Sequence, residues 1–210
     1  MDRQGILIIV SGFSGAGKGT IMKELTTRYE QYALSISATT RAPRPGEEDG
    51  VAYFFKTKEQ FEQMIAEGAL IEHACYVNNY YGTPRAYVED HLAKGHDVIL
   101  EIEIQGARKI KEQYPDAVSL FISTKDAKTL KERLEARATE TADVIEKRLA
   151  RAAQESEEMD EYDYLVINDV LEECVEQVHD IIECEHRKSE RNKERIETIK
   201  RDLKRFAKGE

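Results

Sequence analysis

The stretch Ile6-Leu7-Ile8-Ile9-Val10-Ser11-Gly12-Phe13-Ser14-Gly15-Ala16-Gly17-Lys18-Gly19-Thr20 decides the fold. Its first five residues are apolar and mostly β-branched, too short for a helix, which is the pattern of a parallel strand covered on both faces. After the glycines, Ile21, Met22, Leu25 and Tyr29 recur at helical spacing. Strand, glycine-rich turn and helix in that order form a phosphate-binding loop over residues 12–20. Glycines let successive backbone N–H groups converge on an anion, and the helix N-terminus adds its partial positive charge. Lys18 is placed to reach the outer phosphates and offset charge as a phosphoryl group moves. One position departs from the usual motif: the hydroxyl residue expected directly after the lysine is Gly19, and a hydroxyl arrives only at Thr20. The protein contact to Mg²⁺ is therefore open between Thr20 and a bridging water.

Working outward, further strands are expected at residues 33–37, 98–102, 118–122 and 164–167, with helical patterns near 87–93, 107–113, 127–137 and 144–159. Strands alternating with helices imply a parallel sheet joined by right-handed crossovers, hence a three-layer α/β fold. Residues 38–87 break the alternation with Pro43, Pro45, Gly46, Gly50, Gly82 and Pro84 and with short aromatic runs such as Tyr53-Phe54-Phe55. They are expected to form an inserted mixed α/β subdomain, in which Thr57 and Gln60 make a capping box ahead of Phe61. The core is then residues 1–37, 88–125 and 160–186, with a helical lid at 126–159. A charged helix follows at 187–208, carrying ten Lys/Arg and four acidic residues. Ile196, Ile199, Leu203 and Phe206 line one side of that helix, which is expected to pack on its own fold or on a second subunit.

Bulk properties agree with a nucleotide-sized ligand. The 210 residues suit one domain with a mobile insert, and 40% hydrophobic content is enough for a core. A net charge of −10 argues against a general nucleic-acid coat, yet a phosphate pocket needs only a few aimed cations. Cys75, Cys174 and Cys184 match no metal-ligand spacing and read as free thiols of a reducing compartment. No apolar run approaches the roughly 20 residues needed to span a bilayer, so a cytoplasmic location without membrane partners is expected.

The acceptor side is read from Ser37, then Thr39-Thr40-Arg41-Ala42-Pro43-Arg44-Pro45-Gly46-Glu47, then Tyr53-Phe54-Phe55, Glu72-His73-Ala74 and Asn79-Tyr80-Tyr81-Gly82-Thr83. Two arginines three residues apart, around a stiffening proline, can grip one phosphate from two sides. This set resembles the guanylate kinase family, over about residues 6–182. The resemblance implies that Arg41 and Arg44, helped by the hydroxyls of Tyr53 and Tyr81, hold the GMP phosphate, and that Glu72 reads guanine with Ser37 and Thr83. The chemistry is sound, because a carboxylate accepts from guanine N1–H and its exocyclic amine together, whereas adenine offers neither donor there.

Glu101 and Glu103 stand at i and i+2 in an expected strand, on one face and at its C-terminal end, where ligands collect in open α/β sheets. By resemblance, Glu101 would lie near the Mg²⁺ shell and Glu103 toward GMP; the family typically has Asp at both. Arg133, Arg137 and Arg148 match the family's lid arginines, which would close over the phosphates during transfer, and so count with Lys18 and Arg41 as candidate catalytic residues. Ala138 stands where the family often has glycine, and Asn168 matches a segment near the adenine end of ATP. The activity implied is ATP-dependent phosphorylation of GMP, and of dGMP, by direct in-line transfer, by a monomer or homodimer. Two other readings compete: a kinase for another monophosphate, against which Glu72 and Thr83 argue, and a non-catalytic interaction module of the same fold, against which the intact phosphate loop argues.

Overall fold

A computed structural model describes residues 4–44, 46–76, 78–136 and 141–207. In chain order its elements are β1 (Leu7–Gly12), α1 (Lys18–Arg28), β2 (Tyr32–Leu34), β3 (Ala38–Thr39), β4 (Phe54–Phe55), α2 (Lys58–Ala66), β5 (Leu70–Tyr76), β6 (Asn79–Pro84) and α3 (Arg85–Ala93). Then come β7 (Asp97–Glu101), α4 (Ile104–Gln113), β8 (Val118–Ser123), α5 (Ala127–Ala136), α6 (Ala142–Ser156), β9 (Tyr164–Ile167), α7 (Leu171–His186) and α8 (Lys193–Ala207).

The central sheet has five strands in the order β2-β7-β1-β8-β9, and all four of its pairings among the described residues are parallel. β1 runs up the middle, with Ile8 opposite Ile99 on one side and Val118 on the other. Ile8, Ile9 and Val10 are fully buried, as the unbroken apolar run required. On one face Ile8 and Val10 join Ile21, Met22 and Leu25 of α1 and Val175, Val178 and Ile182 of α7. On the other, Leu7 and Ile9 join Val88 of α3 and Ala107 and Ile110 of α4. The three layers are thus helices, sheet, helices.

Four strands between residues 38 and 84 form the second sheet, in the order β4-β3-β6-β5, with β5 and β6 antiparallel. Phe61 of α2 is fully buried with Ala38 and Leu70 beneath this sheet, and its ring stacks on Tyr80 at 5.3 Å. The capping box is present: Thr57 accepts from the Gln60 backbone at 3.2 Å and the Gln60 side chain accepts from the Thr57 backbone at 2.9 Å.

Some boundaries differ from the sequence expectations. The strand expected at 33–37 is limited to Tyr32–Leu34, after which Ser35 N–H donates to Ile99 and the chain turns toward the insert. The 16-residue helix α7 carries a clear apolar stripe at Cys174, Val175, Val178 and Ile182 that the alternation argument passed over. The helical pattern at 144–159 resolves into α6 and a short 3₁₀ turn at Met159–Glu161. On α8, Ile199, Leu203 and Phe206 are 51%, 63% and 75% exposed, so the chain's described residues do not cover that side of the helix as the sequence reading had allowed. Cys75, Cys174 and Cys184 are free thiols. Among the described residues, no helix is long and apolar enough to cross a membrane.

α7 is tied to the sheet by a buried carboxylate. Asp97, wholly buried, accepts from the Ile6 N–H at 2.8 Å and lies 2.8 Å from His186 Nε2 at the helix end. A buried charge needs such partners to be tolerated.

Candidate functional site

The loop between β1 and α1 lies at the C-terminal edge of the parallel sheet. Gly12 leaves the strand at φ 146°, where a Cβ would fall 2.0 Å from the Ile122 carbonyl oxygen. Gly17 precedes α1 in the left-handed region at φ 92°, and a Cβ there would fall 2.5 Å from Asn168 Nδ2. Both positions therefore exclude a side chain on conformational and steric grounds. Lys18 opens the helix and folds back, its Nζ donating to the carbonyls of Gly12 at 2.7 Å and Phe13 at 3.2 Å. Phe13 and Ala16 are buried, which anchors the loop in the core from below.

Three more expected residues converge on this loop. Asn168, directly after β9, donates through Nδ2 to the Ala16 carbonyl at 2.7 Å. Arg133 of α5 donates to the Asn168 carbonyl at 2.8 Å and to that of Ala16 at 3.3 Å. Arg148 of α6 donates to Ser14 Oγ at 3.1 Å. The loop, the segment after β9 and both helices of residues 126–159 thus meet around residues 14–17. Arg137 and Ala138 lie outside the described residues, as does Pro45.

Glu101 ends β7 and faces the first turn of α1, its Oε2 being 3.8 Å from where a Cβ of Gly19 would stand. Glu101 is exposed at the strand end, yet the atoms crowded around it raise its pKa above the ordinary carboxylate value, while Lys18 draws it back down. Thr20 and Glu101 supply hard oxygen donors on this side of the loop. Such a set fits a Mg²⁺ ion held mainly by phosphate oxygens and water, and no cluster of three or more His, Cys, Asp or Glu side chains suited to a metal occurs among the described residues.

Glu103 does not share a strand face with Glu101 as expected. β7 stops at Glu101, the Ile102 N–H makes a last ladder bond to Val10, and Glu103 becomes the residue before α4. Its carboxylate accepts from Arg151 of α6 at 2.8 Å, and Arg151 also donates to Glu155 at 2.8 Å. Sequence reasoning had no role for Arg151; its position three residues after Arg148, on the same side of a helix, was the available signal.

The second sheet presents the acceptor residues. Glu72 on β5 is 9% exposed and faces Thr83 on β6, whose hydroxyl donates to Oε1 at 2.8 Å. Burial raises the Glu72 pKa, and the Thr83 bond and the charge of Lys109 pull it the other way. The other oxygen, Oε2, points at α4 beside Gly106. Arg41 makes a two-pronged bond to Glu47, NH1 to Oε2 and NH2 to Oε1, both at 2.9 Å. Glu47 raises the Arg41 pKa, with Tyr81 adding to it, and Arg41 in turn lowers that of Glu47. The guanidinium lies 5.2 Å from the centre of the Tyr53 ring, and Tyr53 meets Tyr81 edge to face at 6.1 Å. Arg44 gives its backbone N–H to the same Glu47 at 2.7 Å, so this carboxylate organises the arginine loop. Ser37 sits at the root of that loop, its carbonyl accepting from Phe54 N–H at 2.9 Å.

A glycine-lined phosphate loop on a central parallel strand, with arginine-bearing helices meeting it and a basic, carboxylate-bearing insert, defines a P-loop nucleotide-binding protein. The narrower assignment comes from known proteins. The family model described as guanylate kinase matches residues 4–185. A guanylate kinase of Oceanobacillus iheyensis is 50% identical over 202 residues, covering 96% of this chain and 98% of that protein. One from Streptococcus pneumoniae is 49% identical over 187 residues, covering 89% and 90%. Among solved structures, the guanylate kinase of Anaplasma phagocytophilum superposes with a TM-score of 0.72 at 32% identity, covering 89% of each chain. The chain belongs to the guanylate kinase family.

Proposed function

We propose that this chain phosphorylates GMP, and dGMP with it, using ATP, by direct in-line transfer between the two phosphates. The single observation that carries the acceptor's identity is the buried Glu72–Thr83 pair, 2.8 Å apart. A desolvated carboxylate held by one hydroxyl accepts from a base presenting two adjacent N–H donors, and it penalises one that cannot. Ser37, at the base of the arginine loop, adds a hydroxyl on the same side.

On the donor side, backbone amides of residues 12–20 and the α1 N-terminus cradle the phosphates, and Lys18 moves from the carbonyls of Gly12 and Phe13 to the anion. Arg133, Arg137 and Arg148 come from the lid and neutralise charge spread over the transferred group. Asn168 braces the loop from the adenine end. Thr20 and Glu101 would hold a Mg²⁺ ion, directly or through water, and that ion would supply neutralisation of charge on the donor phosphates. On the acceptor side, Arg41 exchanges Glu47 for the GMP phosphate, with Arg44, Tyr53 and Tyr81 completing the grip. Glu103 orients the acceptor nucleoside from the start of α4. No side-chain base is required, since the attacking phosphate oxygen is already an anion at neutral pH. Catalysis is positioning and charge stabilisation, completed when lid and insert close. The residues divide into a core at 1–37, 88–125 and 160–186, an acceptor insert at 38–87 and a lid at 126–159, and the protein works in the cytoplasm.

The test is ADP release with GMP, dGMP, AMP and UMP as acceptors, with and without Mg²⁺ after chelation. GMP and dGMP should be turned over and the others barely; equal use of AMP would refute the role given to Glu72. Absence of turnover with every acceptor would favour a non-catalytic module, and turnover unaffected by chelation would remove the metal from the scheme.

A further inference from the structure

We infer that Gly106 is a specificity-determining position of the acceptor site: the missing side chain keeps open the space beside Glu72 Oε2 into which the guanine base donates. The inference rests on the reading of Glu72 as the base-recognising group.

Gly106 lies in the first turn of α4 and is buried there. Glycine is a poor helix residue, so its presence in a helical turn calls for a reason. Backbone conformation does not supply one, because Gly106 is not among the positive-φ glycines. Steric crowding does not either. A Cβ at Gly106 would stand 3.5 Å from Glu72 Oε2, 3.5 Å from Ile102 Cδ1 and 3.7 Å from Ile102 Cβ, all ordinary contacts. At Gly5 and Gly12, by contrast, a Cβ would fall 1.9 Å and 2.0 Å from backbone oxygens, so those positions demand glycine for packing alone.

What Gly106 borders is the carboxylate oxygen that Thr83 leaves over. Thr83 takes Oε1 at 2.8 Å, and Oε2 turns to α4. Guanine offers two adjacent donors, N1–H and the exocyclic amine, and engages both oxygens. Hypoxanthine, the base of IMP, offers N1–H alone and needs only one. A methyl 3.5 Å from Oε2 therefore crowds a donor that approaches this oxygen from the α4 side, the contact that distinguishes the two bases, while the fold accommodates it. The position acts on selectivity between acceptors, with the donor site and the stability of the chain left out of the effect.

The experiment compares wild type, Gly106→Ala, Gly106→Ser and Glu72→Gln for kcat and KM with GMP, IMP and ATP, together with Tm. For Gly106→Ala the KM for GMP should rise about tenfold or more and the preference for GMP over IMP in kcat/KM should fall by a similar factor, the scale of one misplaced group in a tight site. The KM for ATP should stay within about twofold and Tm should hold or rise, because alanine is the better helix residue. Gly106→Ser should show the same loss of preference. An unchanged GMP-to-IMP ratio, an equal loss for ATP, or a variant that is less stable or fails to fold would overturn the inference. Should wild type use AMP as readily as GMP, the reading of Glu72 fails and the inference with it. Where wild type prefers GMP, Glu72→Gln erases the preference and Gly106→Ala leaves it intact, only the role of Gly106 is lost.

Discussion

The Thr83 hydroxyl donates to Glu72 Oε1 at 2.8 Å between two antiparallel strands, fixing a buried carboxylate by one oxygen. Glu72→Gln should lower kcat/KM for GMP by at least about 10²-fold while the KM for ATP stays near wild type, since a site built around two donors then offers one of them a donor in return. Steady-state kinetics with each substrate varied would show it; a matched loss for ATP would contradict it.

The same carboxylate should set an acid limit on acceptor use. Its pKa is raised by burial, and the base-accepting form is ionised, so kcat/KM for GMP should decline with falling pH from above the usual carboxylate range. Thr83→Ala removes a bond that holds the pKa down, and its pH profile should shift its acid limb upward. The stability sign is opposite. The folded state holds the Glu72 proton more tightly than the unfolded chain, so the ionised group costs stability above its folded pKa and that cost fades as pH falls through it. Glu72→Gln should accordingly show no loss of Tm at neutral pH.

Arg41 is held by Glu47 through two 2.9 Å bonds in a loop that Arg44 also joins. Arg41→Met should raise the KM for GMP about tenfold to a hundredfold, the worth of charge-assisted hydrogen bonds to a phosphate. Binding of ATP, measured by calorimetry without acceptor, should be unaltered.

Lys18→Ala should reduce kcat on the order of 10²–10³-fold, as expected on deleting one group aimed at charge developing in transfer. Tm should change little, because the lysine's 2.7 Å bond to the Gly12 carbonyl is only part-buried. Single-turnover measurement would separate this from slower product release.

Asp97 supports the fold away from the chemistry. Asp97→Ala removes the buried acceptor of the Ile6 N–H and a partner of His186, and should cost about 3 kcal/mol in urea unfolding, while the folded fraction keeps near-normal kcat.

Much of this was readable from residues alone, and the reasons are local. The run Ile6 to Val10, the glycines and Lys18 carry their own structural instructions, and the Thr57–Gln60 box does so within four residues. What resisted was set by distant partners. Glu103 leaves the strand because β1 stops pairing with β7 after Val10, and its carboxylate then finds Arg151, 48 residues on. Asn168 supports the loop through a contact spanning 152 residues, which no spacing rule registers. The reach of Glu72 toward α4 likewise depends on how the insert docks, so the resemblance could suggest its role but not its neighbour Gly106.

The order of strands in the central sheet also bears on how the chain is made. β1 is synthesised well before both its partners, Val98–Glu101 and Val118–Ile122. Until β7 has emerged the phosphate loop hangs from a strand with neither neighbour in place, and until β8 follows, the apolar ribbon of five residues is paired on one side only. Nucleotide affinity should therefore switch on late in translation, and chains stalled before about residue 120 should be clients for chaperones instead of binders of ATP.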